Sequence, residues 1–183
     1  MTVLKELIAN GSFISAPGVF DPLSARVAEQ SGANALYMTG YGVSASLLGK
    51  PDAGLVSYRE MVDRVRAICE VTTVPLIADG DTGFGGLANV RQAVRGYEDA
   101  GASAIQIEDQ EYPKRCGHTR NRKVISTEDM VRKIELACET RQSDTFLIVA
   151  RTDGRTEHGL DEALSRAEAY RRGGRDVRLV ESP

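Results

Sequence analysis

The sequence predicts an α/β protein of the (β/α)8 TIM-barrel type, and three observations carry that expectation. The stretches "SGANALYMTG", "AGASAIQIED" and "GGRDVRLVES" are built alike. Each has a glycine able to end a helix, then a short strand, then a polar residue. The polar residues are Thr39, Glu108 and Glu181, at equal distances from Gly32, Gly101 and Gly174. "ADGD" (78–81) and "ARTD" (150–153) likewise close apolar runs with charge. Finally, segments with helical spacing alternate with the strands, as a parallel sheet requires. An open doubly wound sheet competes with the barrel. Its functional groups would gather at one switch point after a glycine-rich first turn, and "SAPGVFD" is no G-x-G-x-x-G. Polar groups at the ends of many strands favour the barrel.

Strands are expected near 13–16, 35–39, 74–79, 104–109, 146–151 and 177–182. Asp21-Pro22 reads as an N-cap followed by Pro at the first helical position, leading into "LSARVAEQ". "YREMVDRVRAICEV" sets Met61, Val65 and Ile68 on one stripe, with Cys69 on it as a small hydrophobe. "LANVRQAVRGYEDA" does the same with Leu87, Val90, Val94 and Tyr97. Ser126 with Asp129 makes a capping-box-like start to a helix carrying Met130, Ile134 and Ala137, where Cys138 joins Val131 and Ile134. "LDEALSRAEAYRR" precedes the last strand. A complete barrel has eight strands and about 250 residues. Residues 1–183 are therefore expected to form a single barrel domain lacking its last two strands and C-terminal helices, with unpaired edges on the first and sixth strands. Arg178 stands at the repeat position of Leu36 and Ile105, which should face the helices, so poor packing is expected there.

With 183 residues, 42% hydrophobic and 27% charged, the chain can build one sizeable core. A net charge of −3 offers no basic footprint, which argues against nucleic acid as the main partner. No apolar run reaches the roughly 18 residues of a membrane span, and "MTVLKELIANGS" has no signal-peptide core. The three cysteines match no zinc spacing, so a reduced, cytoplasmic protein is expected.

The chemistry concentrates in "VPLIADGDTGFGG" (74–86), where Asp79 and Asp81 follow a buried-strand run. Two carboxylates so close to a core need a cation or a donor. Together with Glu108, Glu181, Arg151 and Asp52 of "LGKPDAGL" they form an acidic rim suited to a hard divalent cation, Mg²⁺ or Mn²⁺ in its place, shared with an anionic substrate. A helix-capping role for Asp79 and Asp81, worth about 1 kcal/mol, is the competing reading. The third ligand and distal Glu of a calcium loop are missing. "GFGG" suits a tight turn better than a phosphate cradle. In "PKRCGH", Lys114, Arg115 and His118 surround Cys116 with positive charge, a setting that readies a thiol for proton transfer. His158 reads as a surface residue.

"ADGDTGFG", "IEDQ", "KRCGH" and "ARTD", in this order, resemble the isocitrate lyase and phosphoenolpyruvate mutase superfamily. The resemblance implies a (β/α)8 barrel, a homotetramer whose paired subunits exchange their last helix, and chemistry next to a pyruvate or glyoxylate enolate held on Mg²⁺. It further implies that Asp79 and Asp81 belong to the metal site, with Glu108 and Asp52 holding metal-bound waters. Thr39, Gly40 and Tyr41 match the segment that binds the α-keto acid carboxylate, Tyr41 standing where a small or aliphatic residue is common. Arg151 would pair with substrate carboxylate or developing enolate oxygen, Cys116 would protonate the enolate, Gly117 would offer a backbone N–H, and Glu181 would bind substrate.

The implied activity is Mg²⁺-dependent cleavage of a carbon–carbon bond in a 2-hydroxy di- or tricarboxylate of the 2-methylisocitrate or 2,3-dimethylmalate type. A carbon–phosphorus mutase such as carboxyvinyl-carboxyphosphonate phosphorylmutase, or an oxaloacetate- or phosphonopyruvate-cleaving enzyme, is the alternative within the superfamily. Those branches generally lack the cysteine of "KRCGH". A truncated, catalytically silent fragment, stable only with a partner or as an oligomer, is the reading from a different class.

Overall fold

The computed structural model describes residues 4–116, 122–174 and 176–181. Helix α1 (Leu4–Ala9) is followed by β1 (Gly18–Val19), α2 (Pro22–Gln30), β2 (Leu36–Met38), α3 (Gly40–Leu48) and α4 (Tyr58–Cys69). Then come β3 (Leu76–Asp79), α5 (Leu87–Asp99), β4 (Ala104–Glu108), α6 (Thr127–Thr140), β5 (Leu147–Thr152), α7 (Arg155–His158), α8 (Leu160–Arg172) and β6 (Val177–Val180). The strands form one 6-stranded parallel sheet in the order β1-β2-β3-β4-β5-β6. A doubly wound sheet would reverse its order at a switch point. An unreversed run of βα units is the wall of a TIM-type barrel. No helix among the described residues is long and apolar enough to cross a membrane.

The period-two alternation of strands divides the side chains between two faces. Leu36, Met38, Leu76, Ala78, Ile105, Ile107, Ile148 and Ala150 join one buried cluster with the helix stripes Met61-Val65-Ile68, Val90-Val94-Tyr97 and Met130-Ile134-Ala137. Ala104, Leu147 and Val149 point the other way and pack with Leu4 of α1. Along the inner face the last residues of the strands are polar: Asp79 on β3, Glu108 on β4 and Arg151 on β5, with Glu108 directly opposite Arg151 in the ladder.

The helix starts follow the expected caps. Ser24 N–H donates to the Asp21 carboxylate at 2.7 Å ahead of Pro22, and Asp129 N–H donates to Ser126 Oγ at 3.0 Å.

Three expectations are corrected. The first strand lies at Gly18–Val19 rather than 13–16. The preceding segment runs beside β2, its Ser15 and Pro17 carbonyls accepting from Ala35 and Tyr37 N–H, but Pro17 has no N–H to continue the ladder and Phe13 is 87% exposed. Helix α3 was not anticipated, since its two glycines weaken helix propensity. It is held by the Thr39 cap, whose Oγ1 accepts from Gly42 N–H, and by buried Val43. Leu87 sits half exposed at the start of α5 instead of in the stripe. The poor packing expected around Arg178 is found: no residue of β6 is buried, and the Arg178 guanidinium meets Glu168 of α8 at 3.4 Å on the surface.

Between β3 and the site turn, Gly80 is fixed by crowding. A Cβ there would stand 2.8 Å from the Gln106 carbonyl oxygen and 2.7 Å from the Ile105 side chain. The backbone contact cannot yield without breaking the bond from Gly80 N–H to Gln106 O at 2.8 Å. Gly80→Ala is therefore expected to lower the unfolding free energy by about 1–3 kcal/mol in urea titrations.

Candidate active site at the carboxyl ends of the strands

The turn after β3 holds its two carboxylates by backbone. Asp79 accepts from Asp81 N–H at 3.0 Å on one oxygen and from Gly40 N–H at 3.1 Å on the other. Gly40 opens α3, so the positive end of that helix faces Asp79. A Cβ on Gly40 would come within 2.8 Å of the Asp79 carboxylate, which makes glycine the residue that permits the approach. From the outer side, Tyr97 Oη donates to the Asp79 carbonyl at 2.9 Å. Asp81 takes a left-handed backbone, φ 49°, where Asp is better tolerated than most residues, and its carbonyl accepts from Glu108 N–H at 2.9 Å.

The ammonium of Lys114 has partners the sequence did not single out, ion-pairing with Asp81 and, at 2.6 Å, with Asp52, and its side chain is 3% exposed. Burial pushes the Asp81 carboxyl up to about 7, with Asp79 and Asp52 adding to the shift and Lys114 opposing it. Burial pulls Lys114 down, but Asp81, Asp79, Glu108 and Asp52 outweigh it, so the lysine stays a cation. Asp52 is a loop residue, tied to the segment bearing the thiol through Cys116 N–H, which donates to its carbonyl at 3.1 Å. Gln110 braces the same segment by exchanging hydrogen bonds with the Arg115 backbone. Gly117 and His118 lie outside the described residues.

Arg151 is held edge-on. Its Nε and Nη2 donate to the two carboxylate oxygens of Asp153 at 3.1 and 2.9 Å. The guanidinium also lies 3.5 Å from Glu108 and 3.7 Å from Glu181. Burial opposes its charge, yet Glu108 and Asp153 raise its pKa further above the ordinary arginine range. Burial likewise pushes Glu108 well up, against the pull of Arg151.

These groups surround a cavity of about 190 Å³ lined by Thr39, Tyr41, Asp52, Asp79, Cys116, Arg151 and Glu181, together with Tyr37 and Leu179. Tyr41 stands at its mouth, 56% exposed. Asp81, Glu108, Lys114 and Gly40 lie behind this lining. Tyr37 and Asp153 were not singled out in the sequence. Tyr37 could have been found as the inner-face residue two before Thr39, and Asp153 as the unassigned acid of "ARTD". His158 is exposed, as expected.

A hard divalent cation fits this donor set. The groups are all oxygen, and Glu108 Oε1 is buried with no hydrogen-bond partner among the described residues. Four carboxylates (Asp52, Asp79, Asp81, Glu108) face two side-chain cations (Lys114, Arg151) at this rim. Among the described residues no three His, Cys, Asp or Glu side chains form a ready-made ligand group. That arrangement suits Mg²⁺, which takes one or two carboxylates and fills its octahedron with waters and substrate.

A family model described as phosphoenolpyruvate phosphomutase matches residues 4–183. The chain is 51% identical over 180 residues to 2,3-dimethylmalate lyase of Eubacterium barkeri, covering 98% of this chain and 62% of that protein. A crystal structure of 2,3-dimethylmalate lyase superposes with a TM-score of 0.94 at 40% identity, over 98% of this chain and 60% of that one. Phosphonopyruvate hydrolase in complex with oxalate and Mg²⁺ does so with a TM-score of 0.90 at 35% identity, over 98% and 62%. The chain thus spans about 60% of the length of the relatives it matches.

The buried ion pairs give a direct test of the electrostatics. Lys114→Met leaves Asp81 and Asp52 without their cation, so in the absence of divalent metal the unfolding free energy should fall by about 3–5 kcal/mol. Adding Asp81→Asn in the same chain should recover part of that loss in urea titrations, because it removes one stranded charge.

Proposed function

The chain belongs to the phosphoenolpyruvate phosphomutase family, and from that premise we propose that it carries the site of a Mg²⁺-dependent carbon–carbon lyase. The substrate class is a 2-hydroxy di- or tricarboxylate of the 2,3-dimethylmalate or 2-methylisocitrate type, cleaved to an α-keto acid and a carboxylate. The observation that carries this reading is the shared lining of one small cavity by the Arg151 guanidinium, the Cys116 thiol and the Asp79 carboxylate.

A bound divalent cation, held through Asp79 and Asp81 with Glu108 and Asp52 on its waters, would supply Lewis-acid polarisation of the substrate oxygens. The remaining work falls to the chain. Thr39, Gly40 and Tyr41 place the N-terminal turn of α3 against the keto-acid carboxylate. A base takes the proton of the substrate hydroxyl, its oxygen becomes the keto carbonyl as the carbon–carbon bond breaks, and the bond's electron pair passes to the departing carboxylate fragment. Arg151 steadies the negative charge that develops there. Cys116 Sγ then gives its proton to the carbon, and Glu181 binds the substrate beside Arg151.

Phosphonopyruvate hydrolase shows a second chemistry on the same fold. Cys116 favours the lyase reading, because the branches that cleave carbon–phosphorus bonds generally lack this cysteine.

Thermal melts with Mg²⁺ and oxalate test the site. A ligand that binds only the folded state stabilises it by about 2.7 kcal/mol at a hundredfold excess over Kd. The upward shift from oxalate should appear only when Mg²⁺ is present, and its absence overturns the reading. Cys116→Ser should keep that shift while slowing keto-acid release from 2,3-dimethylmalate by about 10²-fold or more. Retention of that rate would take the proton-donor role from Cys116, and keto-acid release from phosphonopyruvate with none from 2,3-dimethylmalate would favour the hydrolase chemistry.

A further inference from the structure

Asp109 follows Glu108 in the chain, so its side chain points to the opposite face of the sheet, away from the cavity. It is fully buried. A carboxylate in such a place is costly unless each oxygen is met by donors, and here both are. One oxygen accepts from Asp153 N–H at 2.9 Å. The other accepts from Thr152 Oγ1 at 2.7 Å and Tyr170 Oη at 2.6 Å, with Arg166 Nη1 at 3.5 Å. The backbone adds two more ties. Asp109 N–H donates to the Arg151 carbonyl at 3.2 Å, and the Asp109 carbonyl accepts from Ile125 N–H at 2.8 Å.

Three of these contacts fall on consecutive residues, 151, 152 and 153. They fix the short segment whose last member, Asp153, grips Nε and Nη2 of Arg151. Fork-to-fork pairing of this kind sets the plane of a guanidinium as well as its position. With that edge engaged, Nη1 is the nitrogen directed toward Glu181 at the cavity. Thr152 Oγ1 also accepts from Gly154 N–H at 3.2 Å, which continues the brace past Asp153.

We propose that Asp109 is a positioning residue for Arg151. It locks the 151–153 segment so that Asp153 aims the guanidinium into the cavity, and Tyr170 and Arg166 of α8 anchor Asp109 from behind. The part concerning substrate rests on the lyase reading of the site; the part concerning the orientation of Arg151 does not.

The test uses Asp109→Asn and Tyr170→Phe, the second removing one hydroxyl from a buried ring. Three quantities are read in the whole chain: the Kd of Mg²⁺ alone, the Kd of oxalate at saturating Mg²⁺, and the Nε–H resonance of Arg151 in ¹⁵N-labelled protein, assigned by its loss in Arg151→Gln. Asp109→Asn should weaken oxalate roughly tenfold, the scale seen when outer partners of site residues are removed. Tyr170→Phe should weaken it less. Mg²⁺ affinity should stay unchanged, the Arg151 resonance should move, and the oxalate effect should vanish in the Arg151→Gln background.

The inference is overturned if folded variants leave the resonance in place, or if Mg²⁺ and oxalate weaken together. Should Asp109→Asn fail to melt cooperatively, Tyr170→Phe decides. Should the parent chain bind no oxalate, the lyase reading falls and the resonance alone decides the inference.

Discussion

Asp79, Asp81 and Glu108 are withdrawn from water at one rim of the sheet, and Asp52 joins them there from a loop, so the compensation of that charge governs the surrounding structure. A lone buried carboxylate costs several kcal/mol. The cost is met by several partners. Backbone N–H groups of Gly40 and Asp81 face Asp79, Lys114 sits between Asp81 and Asp52, and Arg151 lies against Glu108. Each partner comes from a different stretch of chain, so the same electrostatic demand draws the segments after β2, β3 and β4 toward the end of β5. The loop carrying Cys116 reaches the cavity because Lys114, two residues earlier, must meet those acids. One buried ion pair therefore delivers a thiol to the site.

The close approaches around that rim leave little room for side chains. Gly40 and Gly80 both sit where a Cβ would strike a neighbouring strand end, the first against the Asp79 carboxylate and the second against the Gln106 carbonyl. Asp81 adopts a left-handed backbone to turn its carboxylate toward Lys114 while its carbonyl still serves Glu108. Such backbone strain is of order 1–3 kcal/mol and persists only where the surroundings over-determine it. Here the adjoining hydrogen bonds and the packing of Tyr97 beneath β3 do so.

The barrel order and most helices were legible because they depend on local patterns: period two in the strands, period 3.6 in α4, α5 and α6, and capping residues at 21 and 126. The site acids were legible for a related reason, since charge that ends an apolar strand stands out in sequence. What could not be read depends on contacts distant in the chain. The first strand moved because Pro17 lacks a donor and Phe13 found no core. Helix α3 formed despite two glycines because Val43 is buried from outside. Lys114 was expected beside Cys116, its neighbour in sequence, but its partners, Asp52 and Asp81, lie 62 and 33 residues away by number. Sequence adjacency pointed to the thiol alone, and the two acids come to Lys114 only through the fold.

The same alternation that sorts core from surface also sorts roles within the site. In "IEDQ", Glu108 points inward to Arg151 while Asp109 points outward to Tyr170 and Arg166. In "ARTD", Arg151 points inward, Thr152 outward to Asp109, and Asp153 returns to hold Arg151. Consecutive residues at a strand end thus serve the cavity and its frame in turn, and the two frame residues bond each other across neighbouring strands. A reactive group placed this way is fixed from both faces of the sheet. Its orientation depends on packing of α8 against β5 as much as on its immediate contacts, which extends the physical extent of the site well beyond the residues that line the cavity.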